Sequence, residues 1–208
     1  MSQEKIFTKE ELKAMGERTL DLVQASIDAG ELEAAKQLSQ RMYNEFLGMH
    51  DFYRDWVTAL LSFIGKRYGD EVLHEALKET VGEYTRRLQK RYAHKSARRK
   101  MEIFMAGLRG HLHPLQIEED DEKFTITSQP CGSGGRLARE GGYGPPCNFL
   151  KIKNPQPMTF LRPDFPVYCA HCYFQNISPP EPGGPPLFIT EPSPDLGNVT
   201  CRIYFYKK

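Results

Sequence analysis

The chain has 208 residues, of which 39% are hydrophobic and 26% are charged, and its formal net charge is +1 at pH 7. This balance excludes global electrostatic steering towards nucleic acid or an anionic membrane, and no run of about 20 apolar residues is present to span a bilayer. The chain is long enough to bury one large hydrophobic core or two small ones. Residues 1–5 carry no apolar signal segment, so we expect a cytoplasmic protein.

The first half of the chain has the apolar spacing of helices. Thr8 and Glu11 have the spacing of a capping box, which predicts the start of a first helix that ends near Gly30. Apolar residues then recur at helical spacing in four further segments: 31–47, 50–68, 70–91 and 96–108. The pattern predicts a helical bundle over residues 1–110.

From Gly110 onward, Pro and Gly become frequent and apolar residues alternate with polar ones, which is typical of strands. Seven short segments are strand candidates: 115–118, 124–127, 149–152, 158–161, 167–169, 187–189 and 201–206. We therefore predict an α+β fold, in which the bundle precedes a β-rich metal- or small-molecule-binding domain over residues 111–208. Its antiparallel sheet is expected to carry long Gly/Pro-rich loops.

All five cysteines lie in this second half, at positions 131, 147, 169, 172 and 201. Cys169 and Cys172 have CxxC spacing, which lets two thiolates on one turn bind the same metal ion. The reducing cytoplasm and the odd cysteine count both argue against disulfides. A redox motif would need a helix starting at the CxxC, and no helix is predicted there. Buried, unreactive thiols are the remaining alternative.

Cys131 opens a glycine-rich run that ends at Arg136. Successive glycines with positive φ could form an anion-binding nest, and Arg136 could bind a substrate carboxylate. The alternative is a flexible loop with Arg136 in solvent.

His111 and His113 alternate along an extended segment, so that both imidazoles could reach one centre. The alternative is a pair of surface histidines at the end of a helix. Cys131 could also act as a nucleophile with one of these histidines as its base.

Eight cationic residues lie between positions 86 and 100. They could neutralise phosphates, but apolar residues continue at helical spacing through the same segment. We interpret the segment as a solvated helix face and do not expect nucleic acid as a partner.

The order of these motifs resembles that of the L-2-amino-thiazoline-4-carboxylic acid hydrolase-like family and, more distantly, of vinyl-reductase-type small-molecule-binding domains. A helical half precedes a Cys after a strand, then a second Cys motif, then a closing Gly-x-x-x-Cys pattern. The residues that match are Cys131, Cys169, Cys172 and Cys201, and the closing pattern also contains Gly197 and Phe205. The first family implies opening of a small heterocyclic acid, and the second implies ligand binding beside a Cys-bound metal.

Together these patterns predict a metal-dependent hydrolase or lyase that acts on a small carboxylate-bearing molecule. The predicted ligands of zinc, or of another thiolate-binding transition metal such as iron, are Cys131, Cys169, Cys172 and His111. His113 is the predicted general base, and Arg136 is the predicted carboxylate-binding residue. The alternative is a non-catalytic sensing module with a structural zinc. We also expect no membrane partner and a homodimer formed through the helical half.

Overall fold

The computed structural model describes residues 6–112, 114–128 and 131–207. The α+β class is confirmed, because helices precede an antiparallel sheet. Contacts within the chain group residues up to Phe52 into one compact unit and residues from Tyr53 into another. This division differs from the boundary at residue 110 that the sequence predicts, and each unit is described by itself.

The first unit contains α1, α2 and the beginning of α3. At the start of α1 (Lys9–Gly16), the predicted capping box is confirmed: the Glu11 N–H donates to Thr8 Oγ1 at 3.1 Å, and the Thr8 N–H donates to Glu11 Oε2 at 2.7 Å. The single helix predicted up to Gly30 is wrong. Glu17 and Arg18 have extended backbone, which separates α1 from α2 (Thr19–Asp28).

The long helix α3 (Leu32–Leu77) passes through the break predicted near residue 48, because a single glycine with helical backbone does not end a helix. Gly69 does interrupt the helical path, with φ 84° and ψ 178°, as its position in the sequence predicts. A π-helical turn (Lys78–Gly82) then leads into α4 (Glu83–Tyr92), and α5 spans Ala97–Arg109. Among the described residues, no helix combines the length and apolar character that a bilayer-spanning segment needs.

A four-stranded antiparallel sheet has the strand order β1-β2-β6-β5. Its register aligns apolar residues on one face, since Ile126 pairs with Ile203 and Phe124 pairs with Phe205. A second sheet pairs β3 with β4. The strand bounds are β1 Leu115–Glu119, β2 Lys123–Ser128, β3 Lys151–Ile152, β4 Phe165–Pro166, β5 Phe188–Glu191 and β6 Arg202–Tyr206.

Two predicted strands are wrong. The segments 158–161 and 167–169 contain 3₁₀ turns, Pro157–Thr159 and Val167–Ala170. Pro157 has the φ of a first helical residue, which favours the first turn. Two short helices that the sequence pattern does not predict follow in this half, α6 (Gly134–Arg139) and α7 (His171–Asn176).

Two apolar clusters form the core of the second unit. The first packs Leu73 and Leu77 of α3 against residues that include Phe165 and Phe174. The second packs α5 on the sheet, with Phe205 at its centre. The candidate site described below has residues of both clusters in its wall.

Truncation of Phe174, which is fully buried in the first cluster, tests this account of the core. We expect Phe174→Ala to lower the free energy of unfolding by about 3–5 kcal/mol, because it leaves a cavity beside α3. Urea unfolding followed by circular dichroism measures the loss. The control Ile177→Ala removes a half-exposed side chain nearby, and an equal loss in both variants would contradict the assignment.

Candidate functional site

The second unit contains a cavity of about 160 Å³ that brings most of the cysteines together. Its remaining wall is largely apolar and includes Phe104, Leu108, Phe188 and Ile203. Its thiol and imidazole side chains are those of Cys131, Cys169, Cys172, Cys201, His111 and His171. Four segments that are distant in sequence therefore contribute sulfur or nitrogen ligands to one small volume.

The bounds of the helices and strands place two of these cysteines in short helical turns and one next to a strand. Cys169 lies in the 3₁₀ turn Val167–Ala170, and Cys172 lies in the first turn of α7. The expectation that no helix begins at the CxxC motif is therefore wrong. Cys201 directly precedes β6, and its carbonyl accepts a hydrogen bond from the Ser128 N–H at the end of β2.

The glycine-rich run does not form the predicted anion nest. Gly134 and Gly135 begin α6, and neither has a positive φ. A Cβ on Gly134 would lie 2.7 Å from Cys169 Sγ, and a Cβ on Gly135 would lie 2.9 Å from the Cβ of Cys131. The glycines are needed because α6 packs too closely against the thiols to leave room for a side chain.

A hydrogen bond also joins the two cysteine segments. Ser133 Oγ and the Tyr168 hydroxyl are 2.9 Å apart, and both side chains are partly or fully buried. This bond fixes the residues just after Cys131 to the residue just before Cys169. The relative position of the two thiols is thus set by side-chain bonding as well as by packing.

His171 has one defined neutral tautomer. Its Nδ1 lies 2.5 Å from the Tyr168 carbonyl oxygen, which can only accept, so Nδ1 carries the proton. The lone pair is then on Nε2, which lies 3.6 Å from Cys172 Sγ. Burial lowers the pKa of His171 and keeps this lone pair unprotonated. The imidazole is therefore prepared to accept a proton or to bind a metal.

Three thiols of the cavity, those of Cys169, Cys172 and Cys201, are held in their neutral form by burial. Burial raises the pKa of Cys172 to about 12 and that of Cys201 to about 11. Burial also raises the pKa of Cys169 well above its usual range, and the nearby thiols of Cys172, Cys131 and Cys201 add to that shift. A reactive redox thiol needs a lowered pKa, so the environment of Cys169 and Cys172 does not favour the redox alternative.

The ligand types suit a soft metal ion, since thiolates and neutral imidazoles bind zinc and similar ions. Within the described residues, however, no three Cys, His, Asp or Glu side chains already lie close enough together to hold one ion. Metal binding would therefore require rotation of side chains at the cavity wall and release of the thiol protons.

The structure places the other predicted site residues as follows. His111 lines the cavity, whereas His113 lies outside the described residues. Arg136 does not line the cavity: its Nε donates to the Gly132 carbonyl at 2.8 Å, and its side chain also forms an ion pair with Glu140. Its predicted role in binding a carboxylate gains no support from these contacts.

Two residues of the cavity wall that carry a thiol or an imidazole are absent from the predicted site. His171 lies between Cys169 and Cys172 in the Cys-Ala-His-Cys motif. Its position beside two predicted metal ligands is the sequence signal that could have identified it. Cys201 is in an alternating strand pattern, which gives no sign that the residue before the strand faces a cavity. Cys147 is exposed and does not line the cavity.

Comparisons with protein-family models, with curated proteins and with solved structures find no match to this chain. The resemblance to the thiazoline-carboxylate hydrolase-like family thus stays an interpretation of the order of the motifs.

The raised thiol pKa values predict how stability depends on pH. Because the pKa of Cys172 rises from about 9 to about 12 on folding, the folded protein binds more protons between these pH values, and stability falls as pH rises through them. We expect the metal-free protein to lose stability over this window, with Cys172→Ala showing a shallower loss. Urea unfolding at several pH values measures the slope.

The control for this experiment is Cys147→Ala, which changes an exposed thiol and should keep the slope of the parent protein. The single thiol of Cys172 contributes at most about 1.4 kcal/mol per pH unit. Identical slopes in the parent and in Cys172→Ala would contradict a buried, neutral thiol at this position.

Proposed function

We propose that the cysteine-walled cavity binds a thiophilic transition-metal ion, most simply zinc, beside a small organic molecule, and that the protein acts on this molecule as a hydrolase or lyase. The observation that carries the proposal is the presence of four thiols and two imidazoles in the wall of one small apolar cavity. Buried thiols occur in many cores, but four from three segments facing one cavity are unusual for packing alone.

The chemistry of the wall supports the metal. The neutral thiols of Cys169, Cys172 and Cys201 give little stability by themselves, whereas a bound cation would favour their ionisation and neutralise the thiolates. Cys131, Cys169 and Cys172 remain the proposed protein ligands of a catalytic site, and His111 or His171 would then lie beside its open coordination position. If one of these imidazoles also bound the ion, the site would be closed. When bound, the ion would supply a Lewis acid next to the ligand.

The residues of the chain would perform the other tasks. Phe104, Phe188 and Ile203 exclude water from the cavity and would contact the apolar part of a ligand. His171 Nε2 could accept a proton from the ligand or from Cys172, because its other nitrogen is already committed to the Tyr168 carbonyl. His113 stays a predicted general base.

The alternative is a non-catalytic sensing module with a structural metal. Cys201 favours it, since a fourth thiol in the same wall could complete a closed tetrahedral site. A site with four protein ligands would argue for structure, and a site with three would argue for catalysis. Absorption spectra of the cobalt-substituted protein distinguish the two by the number of thiolate ligands.

Metal content is the first test of the proposal. We expect protein purified without a histidine tag and reconstituted with zinc to hold about one ion per chain, because one cavity supplies the ligands. Cys169→Ser should lose the ion, since the buried thiol is the central member of the cluster. Inductively coupled plasma mass spectrometry measures the stoichiometry.

The matched control is Cys147→Ser, which removes an exposed thiol outside the cavity and should retain the ion. Absence of metal from the reconstituted parent protein would rule out the metal site. Equal loss of metal from both variants would show that the ion binds elsewhere.

The predicted homodimer remains part of the proposal. The apolar side chains at three positions of α3 are about half exposed: Trp56, Leu60 and Phe63. They are four and then three residues apart, which is the spacing of the residues that pack between the helices of a coiled coil. A second copy presenting the same stripe would cover these side chains. We propose this stripe as the dimer interface.

We expect the parent protein to be dimeric, and Leu60→Ser to shift it to a monomer by placing a hydroxyl in the apolar interface. Light scattering coupled to size-exclusion chromatography measures the mass. Ile177→Ser, at a half-exposed position outside α3, is the control and should leave the mass unchanged. A monomeric parent protein would refute the interface.

A further inference from the structure

A second cavity, of about 240 Å³, adjoins the cysteine-walled cavity. The two cavities share the side chains of Phe104, Leu108, His111, Gln175 and Phe188. Neither reaches the roughly 300 Å³ at which ordinary ligand sites begin, but together they do. A single elongated ligand with one end in each cavity would need these shared side chains to move apart, and it would then occupy a volume in the ordinary range.

Gln89 of α4 is a buried polar residue in the wall of the second cavity, with 4% of its surface exposed. Its Oε1 accepts a hydrogen bond from the Leu187 N–H at 3.1 Å, which fixes the orientation of the amide, since an N–H can only donate. Among the described residues, no group accepts a hydrogen bond from its Nε2. A buried N–H without an acceptor lowers the stability of a fold by about 1–3 kcal/mol. The Gln89 Nε2 group is therefore a donor that does not stabilise the fold.

Lys100 of α5 lines the same cavity and gives it a cationic group. No carboxylate of the described residues forms a salt bridge with it. By contrast, the neighbouring cations Arg98 and Arg99 both pair with Glu102. An amide donor and an ammonium group in one wall are the groups that bind a carboxylate.

Aromatic rings form much of the remaining wall. The Phe104 ring lies 4.6 Å from that of Phe188 and 5.1 Å from that of Phe205, measured between centroids. The cysteine-walled cavity, which shares Phe104 and Phe188, is about the size of one that holds a benzene molecule. Its walls thus suit the apolar end of a molecule whose acid group lies near Gln89.

We infer that the second cavity binds the carboxylate of an elongated aryl or alkyl carboxylic acid through Gln89 Nε2 and Lys100, and that the apolar end of this acid occupies the cysteine-walled cavity. This assignment replaces Arg136 as the residue that recognises the acid. It deepens the proposed function, because it names the class of substrate, but binding of the acid does not itself require the metal.

Titration of the full chain with phenylacetate, hydrocinnamate and phenylbutyrate tests the inference by isothermal calorimetry. We expect the acids to bind, and each to bind at least tenfold more tightly than the alcohol of the same length. Gln89→Glu keeps an acceptor for the Leu187 N–H and removes the donor, so it should weaken acid binding at least tenfold. Lys100→Met should have an effect of similar size.

Lys95→Met is the matched control, since Lys95 precedes α5 and does not line the cavity. Its affinity for the acids should equal that of the parent protein. Thermal melting of each variant shows whether it is folded. If Gln89→Glu does not fold, Lys100→Met still decides, because Lys100 is only partly buried.

The inference is overturned if no acid binds more tightly than its alcohol, or if a folded Gln89→Glu or Lys100→Met binds the acids as the parent does. Titrations with and without zinc separate it from the metal proposal. Acid binding without zinc binding would contradict only the metal, and zinc binding without acid binding would contradict only the carboxylate site.

Discussion

The close contact between α6 and the turn that carries Cys169 is the constraint on which the site depends. No side chain fits between Gly134 and the sulfur of Cys169, or between Gly135 and Cys131. This contact brings a segment near residue 131 against one near residue 169, and the Ser133–Tyr168 hydrogen bond holds the two in place. The two glycines let α6 approach the cysteine-bearing segments closely enough for their thiols to share one cavity wall.

The apolar wall of this cavity has two opposite effects on its thiols. Without a cation, burial keeps Cys169, Cys172 and Cys201 neutral and unreactive. If the proposed cation binds, the same low dielectric would strengthen each thiolate–metal interaction, because little water would compete for the charge. A site of this kind would therefore respond to metal as a switch between an inert apolar cavity and a strongly polar one.

The sequence predicts elements better than it predicts contacts. Helical spacing, the Thr8 capping box and the break at Gly69 are local signals, and each is visible in the structure. The role of the glycine run depends on contacts between segments about 35 residues apart, as in the Ser133–Tyr168 pair, so no local pattern reveals it. The contacts of His171 with Tyr168 and Cys172, by contrast, lie within its own motif. Gln89 lies inside a strongly cationic segment, where its burial against Leu187 has no signature in sequence.

The π-helical turn at Lys78–Gly82 has a consequence for how such a site could diverge. Each residue of an α-helix advances the chain by about 100° around the axis. Loss of one residue from an ordinary α-helical turn would therefore rotate the helix that follows. The π-helical turn holds about one residue more than an α-helical turn, so a loss there would restore an α-helix and leave the buried pair Thr85 and Gln89 facing the second cavity. A related chain could therefore differ by one residue in length at this turn and keep the same side chains in the wall of the second cavity.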